Sequence, residues 1–183
     1  DLSVRTDMGV SGFSYVYDEN GHCITQTCLG LENTPMTCRY GYAKEFFKYD
    51  DNGYVCQISF FDTDENPVSM LQDGNSWSRI DIVNNTKGLQ LEKVYYDEEG
   101  NLVENTHGYC KEIMEYDSLG NQTLLAYCDN NGKPVAYDGL YSKITIENDE
   151  FGRITTLSYW GTDGTPTLNE EGISSVNAEY NRQ

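Results

Sequence analysis

Apolar and polar residues alternate along most of this chain, in runs such as GFSYVY, KEFFKY, YVCQISFF, RIDIVN, KVYY, KEIMEY and KITIEN. No stretch sustains an apolar period near 3.6, so helices are not expected. β-branched and aromatic residues fill the alternating runs, and Asp, Asn and Gly separate them, which is the pattern of strands joined by tight turns. The spacing predicts an all-β fold.

The same pattern recurs. Turn glycines fall at Gly21, Gly53, Gly88, Gly120 and Gly152, spaced by 32, 35, 32 and 32 residues. Pro35, Pro67, Leu102, Pro134 and Pro166 give the same differences, and Val10, Tyr42, Trp77, Tyr109, Tyr141 and Ile173, one opening each copy, agree with them. Three landmarks in one register predict a tandem array of β-hairpins with a period of 32 residues, elongated, forming an open repeat sheet or a solenoid. Residues 1–183 read as a single array with units near 9–40, 41–75, 76–107, 108–139 and 140–171 and a partial unit at 172–183. The three extra residues lie between Pro67 and Trp77, in a connector, where length is best tolerated.

The first turn of each unit, as in YDENGH, YDDNGY, YDSLGN and NDEFGR, suits a type I turn followed by a left-handed Gly bulge. With Asp18 facing His22, paired residue numbers add to 40, and the later units give 104, 174, 238 and 302. That register sets small residues opposite large ones: Ser11 with Leu29, Ala43 with Phe61, Ser78 with Tyr96 and Ser142 with Trp160. It places Cys110 opposite Cys128, so those thiols are expected to be neighbours. It also sets cations across from rings, Lys44 with Phe60, Arg79 with Tyr95, Lys111 with Tyr127 and Lys143 with Tyr159, to stabilise the sheet by cation-π contact. On the face of the small residues run an apolar column, Tyr15, Phe47, Ile82, Met114, Ile146 and Ala178, and a tyrosine column, Tyr17, Tyr49, Tyr116 and Tyr180, with Asn84 and Asn148 in two of its places. That face is the expected core.

Composition narrows the function classes. Thirty acidic against twelve basic residues leave a net charge of −18 spread through the units, which repels nucleic-acid phosphates and anionic lipid. No apolar run is long enough for a spanning helix, so no membrane insertion is expected. Fifteen tyrosines, six phenylalanines and two tryptophans argue against disorder despite the acidity. Beginning at Asp1 without Met, the chain reads as part of a longer protein.

The YDxxGN core, seen as YDSLGN at Tyr116 to Asn121 and approached by YDENGH, YDDNGY and YDEEGN, resembles the tyrosine-aspartate (Rhs-like) repeats of bacterial surface and toxin proteins. The longer pattern, GY, then YDxxGN, then YxDxxGxPV, is similar to repeats in secreted or surface proteins of gut clostridia. KVYYDEEGNLVENTHGY, at Lys93 to Tyr109, resembles the hairpin repeats of choline- and glucan-binding cell-wall modules, which bind with aromatics shared between successive hairpins. These resemblances imply an extracellular or cell-surface setting.

Catalytic chemistry has no candidate constellation: there is no nucleophile motif, no phosphate-cradling loop and no paired-histidine site, so the chain is not expected to be an enzyme. Six cysteines stand in different columns without a CxxC, and His22 and His107 are isolated, so no metal or cofactor is expected. Asp62, Asp64 and Asn66 have calcium-loop spacing, with Asp73 at the twelfth position, but Pro67 stands where such a loop needs Gly, and the trio reads as a turn. The candidate ligand residues are Tyr42, Trp77, Tyr109 and Tyr141, one per unit at the strand entrance, whose rings would form a row suited to stacking on sugars. The expected function is a non-enzymatic surface or secreted binding module for a polysaccharide or another surface protein. The competing reading is a structural spacer in which the same rings fasten one hairpin to the next.

Overall fold

The structure is a computed structural model describing residues 8–72 and 75–181. Thirteen strands and no helix occur among the described residues, and so none long and apolar enough to cross a membrane. The strands are β1 (Gly12–Tyr17), β2 (Cys23–Leu29), β3 (Lys44–Tyr49), β4 (Val55–Phe61), β5 (Met70–Gln72), β6 (Asn75–Trp77), β7 (Arg79–Asn84), β8 (Gln90–Tyr96), β9 (Lys111–Tyr116), β10 (Gln122–Cys128), β11 (Lys143–Asn148), β12 (Ile154–Trp160) and β13 (Ser175–Asn177). Eleven are hydrogen-bonded in the order β1-β2-β3-β4-β7-β8-β9-β10-β11-β12-β13, an antiparallel sheet that does not close. The other two, β5 and β6, make a small hairpin pairing Met70 with Trp77, and this is where the three extra residues between Pro67 and Trp77 are accommodated. The chain divides into two compact units, Asp1–Gly88 with Val94–Val103, and Leu89–Lys93 with Glu104–Gln183.

The hairpin turns have the expected geometry. Gly21 N–H donates to Asp18 O and Asp18 N–H to His22 O, with Gly21 at φ +84°, as a type I turn closed by a left-handed glycine requires. The Asp carboxylate completes the turn by accepting from the backbone two and four residues on: Asp50 from Asn52 and Tyr54, Asp117 from Leu119 and Asn121, Asp149 from Phe151 and Arg153. The same turn recurs in the connectors at Asp62, Asp97 and Asp129. It recurs once more just before the opening residue, where Cys38, Asn105 and Asn169 lead Gly41, Gly108 and Gly172. This last turn is absent from the sequence reading, although the polar residue three before Gly in NTHG and NEEG carries its signature.

The register departs from expectation in one respect. Tyr17 pairs with Cys23, numbers adding to 40 as predicted, but Val16 pairs with Thr25 and Gly12 with Leu29, which add to 41. The shift is a β-bulge at Ile24, and Cys56, Thr123 and Thr155 are passed over in the same way in β4, β10 and β12. Because side chains alternate at period two, one inserted residue moves the remainder of the second strand to the opposite face. Lys44 therefore stands across from Phe61, Lys111 from Cys128 and Lys143 from Trp160, in place of Phe60, Tyr127 and Tyr159. The cation-π contacts shift likewise: the Arg79 guanidinium lies 3.9 Å from the Tyr96 ring centre and Lys143 Nζ 5.2 Å from that of Trp160. Lys44 and Lys111 instead pair with Glu65 and Glu92, at 2.6 and 3.0 Å.

The small residues are not across from the large ones as side-chain pairs. Their backbones meet: Ser11, Ala43, Ser78, Cys110 and Ser142 donate N–H to the carbonyls of Leu29, Phe61, Tyr96, Cys128 and Trp160. The backbones of Cys110 and Cys128 are accordingly adjacent, with Cys110 Sγ 3.8 Å from the Cys128 carbonyl, but the shifted register sets Cys128 across from Lys111 in place of the expected side-chain pair with Cys110, and both are buried free thiols.

The bulge also decides the core. It brings Cys28, Phe60, Tyr127 and Tyr159 onto the face of Phe13, Glu45, Glu112 and Ile144, their partners in register. Of the expected apolar column, Ile82 and Met114 are buried there, while Tyr15, on edge strand β1, is 47% exposed. In the first unit Val10, Cys28, Cys38, Tyr42, Phe60 and Met70 form the core cluster. The tyrosine column does something else. Tyr49 donates its hydroxyl to Cys23 O at 2.8 Å and Tyr180 to Ile154 O at 2.9 Å, while Asn84 and Asn148 donate their amides to Val55 O and Gln122 O at 2.9 and 3.1 Å. Tyr49, Asn84 and Asn148 each tie the first strand of a hairpin to the backbone of the preceding hairpin, and Tyr180, just past β13, reaches back in the same way, so Asn replaces Tyr because both present a donor.

Candidate functional site

The four opening aromatics lie where the first strand of each hairpin begins, and each packs on a ring from the second strand of the same hairpin. Ring centres are 4.9 Å apart for Tyr42 and Phe60, 5.2 Å for Trp77 and Tyr95, 4.6 Å for Tyr109 and Tyr127, and 4.9 Å for Tyr141 and Tyr159. Tilted pairs at this separation contribute about 0.5–1.5 kcal/mol each beyond the area they bury. Tyr42 and Tyr109 are 4% and 7% exposed, whereas Trp77 and Tyr141 are half-buried.

In the second unit the rings gather into a larger group. Tyr137 stacks on His107 at 4.4 Å on one side and is nearly parallel to Tyr141 at 5.6 Å, and it also lies 5.0 Å from Tyr127. His107 Nδ1 and Asp138 Oδ1 are 2.9 Å apart. Tyr137 occupies the turn position held by Cys38, Asn105 and Asn169 in the corresponding turns, and the turn is rebuilt around it: Asp138 and Gly139 are both left-handed, at φ +50° and +75°. Asp138 has the Asp residue's tolerance of that region. Tyr137 was not among the sequence candidates. Its signal was a departure, since YDGL stands where other units have a polar residue and Gly three places on.

Beside this turn lies a cleft of about 190 Å³ lined by Tyr137, Asp138, Leu140, Tyr141, Tyr159, Asn169 and Glu170. Burial, with the nearby carboxylates Asp138 and Glu170 adding to it, pushes the Tyr137 and Tyr141 hydroxyls above the usual phenol range. Both phenols therefore stay neutral donors at physiological pH, in a negative local potential. Asn169 Oδ1 accepts from Glu171 N–H at 3.0 Å and Ile173 N–H at 2.9 Å, which commits the oxygen to the turn and directs the amide NH₂ elsewhere. Glu170 is exposed and makes no hydrogen bond or ion pair among the described residues.

A second kind of groove lies by the other sheet face. In the first unit it measures about 220 Å³, between Phe61, Pro67, Ser78, Arg79, Asp97 and Gly100. In the second unit its counterpart measures about 270 Å³, between Cys128, Pro134, Ser142, Lys143, Asp163 and Gly164. Each sets a cation at the wall opposite a turn carboxylate and a glycine.

No group of three or more His, Cys, Asp or Glu is placed to hold a metal ion among the described residues. Asp62 accepts from the backbone of Asp64 and Asn66 and from the Asn66 amide, which occupies both its oxygens in the turn. Asp73 lies outside the described residues. In the first-unit core Cys28 and Cys38 lie together in the buried cluster. The two are 0% and 5% exposed, so neither sulfur reaches solvent. No protein-family model matches this chain, and no curated protein matches it significantly.

Proposed function

We propose that this chain is a non-enzymatic binding module built from hairpin repeats of 32 residues, acting at a cell surface or after secretion, with a polysaccharide as its ligand. The supporting observation is the cleft of Tyr137, Tyr141 and Tyr159, where aromatic walls meet carboxylate and amide groups. Rings give a sugar an apolar surface for its axial C–H groups, and flanking polar groups select its hydroxyls. On this reading Tyr141 is the opening aromatic that contacts ligand, and Trp77 is a lesser contributor. Tyr42 and Tyr109, closed off inside their hairpins, hold the scaffold.

The spacer reading, in which the opening rings fasten one hairpin to the next, is favoured by a different observation, the Tyr141 ring lying 6.2 Å from that of Tyr127 in the preceding hairpin. The two readings separate on a glycan array or a cell-wall polysaccharide pull-down, using wild-type protein and the Tyr141→Ala and Trp77→Ala variants. The binding module predicts retention on at least one polysaccharide and a loss of about tenfold or more in Tyr141→Ala, as for a central aromatic contact. A blank array for folded wild-type protein leaves the spacer.

A further inference from the structure

We propose that the Tyr137–Tyr141–Tyr159 cleft takes an amino-sugar residue with a free primary ammonium, held between the carboxylates of Asp138 and Glu170 while its ring lies against the tyrosines. This rests on the binding reading above and names the chemistry of its ligand.

Four features of the site lead there. First, two acidic side chains line the cleft and no Lys, Arg or His does, in a chain of net charge −18, so an anionic sugar is repelled and a cation is drawn in. Second, the walls are three tyrosines, whose ring faces carry negative quadrupole potential and attract an ammonium group. Third, the acceptors are matched to a donor-rich cation. Asp138 spends Oδ1 on His107 and keeps Oδ2, and Glu170 is unpartnered among the described residues. A primary ammonium brings three N–H donors to use them, whereas a quaternary ammonium brings none. Fourth, about 190 Å³ is below the roughly 300 Å³ at which pockets for drug-sized ligands begin, so the cleft holds one ring rather than a chain segment. Asn169, with its oxygen committed to the turn, offers its NH₂ to a ring hydroxyl.

The test is calorimetric titration of the folded protein with three tetrasaccharides of equal length: β-1,4-glucosamine, its N-acetylated form and the neutral glucose analogue. A fourth arm uses Nα-acetyl-lysine methylamide. The glucosamine oligomer is expected to bind at least tenfold more tightly than the other two oligomers, and Glu170→Gln to weaken it about tenfold, the scale of one charge-assisted hydrogen bond. Glu170 is exposed, so that variant leaves the fold intact. Equal binding of the acetylated or neutral oligomer, or unchanged affinity in Glu170→Gln, overturns the ammonium site while the binding reading stands. Binding of the lysine analogue without the amino sugar also overturns it, in favour of a peptide ligand. If no saccharide binds here and the array is blank as well, the binding reading itself fails.

Discussion

At the scale of single residues, the turn glycines answer two demands at once. Gly88 has φ +80°, and a Cβ there would lie 2.5 Å from Cε1 of the Tyr54 ring. Gly132 has φ +76° with nothing within 4 Å of the same position. Gly132→Ala should therefore cost only left-handed strain, about 1 kcal/mol. Gly88→Ala should cost more, about 2–3 kcal/mol, because the aromatic ring must also move. Denaturant midpoints of the two variants check the difference, and equal losses would show that the ring yields freely. The Tyr and Asn column allows a sharper substitution. Asn148→Leu leaves the Gln122 carbonyl without its donor and should destabilise by about 1–2 kcal/mol. Asn148→Tyr should be tolerated, since Tyr49 and Tyr180 serve the same carbonyl position elsewhere with a hydroxyl. Thermal unfolding distinguishes the two.

At the scale of the hairpin, the strands, the turn type and the pairing beside the turn were legible because each has a local cause: alternation, the Asp-to-Gly spacing, and a loop length that sets the first pair. The bulge was not. Ile24, Cys56, Thr123 and Thr155 share no residue type that marks an unpaired position. What selects it is the burial of Cys28, Phe60 and Tyr127 on the core face, a tertiary demand that alternation within one strand does not express. The turns themselves carry a pH signature. Asp50 is held below the usual carboxylate range first by the Tyr54 N–H, Asp62 by the Asn66 amide, Asp117 by the Asn121 amide and Asp149 by the Arg153 guanidinium. A depressed folded pKa stabilises above the unfolded value, about pH 4, and the contribution disappears as pH falls through the folded value. Urea midpoints should thus hold from neutrality to about pH 4 and fall below it. Asp117→Asn should weaken that fall while keeping the turn, since Asn85 already accepts from Lys87 N–H at 2.8 Å in the equivalent position. An unchanged acid limb in this variant would show that the turn carboxylates do not set the acid sensitivity.

At the scale of the molecule, regular columns and departures from them carry different information. Columns such as Asp18, Asp50, Asp117 and Asp149 report what each hairpin needs in order to form. Tyr42 and Tyr109 belong to that class once their burial is known, and sequence could not separate them from Tyr141 because burial depends on the neighbouring connector. The cleft arises where the pattern breaks, at Tyr137 and Asp138, and a search for repeated residues passes over such a place. The net charge of −18 adds a general effect, self-repulsion within the folded chain that salt screens. Raising ionic strength should accordingly raise the melting temperature while weakening any ammonium ligand. The most direct measurement of the central claim is an NMR titration of ring-labelled tyrosine with a polysaccharide retained on the array. The account predicts shifts at Tyr137, Tyr141 and Tyr159 that saturate together, with Tyr42 and Tyr109 unmoved. Shifts confined to the exposed edge rings Tyr15 and Tyr17, or none at all, would contradict it.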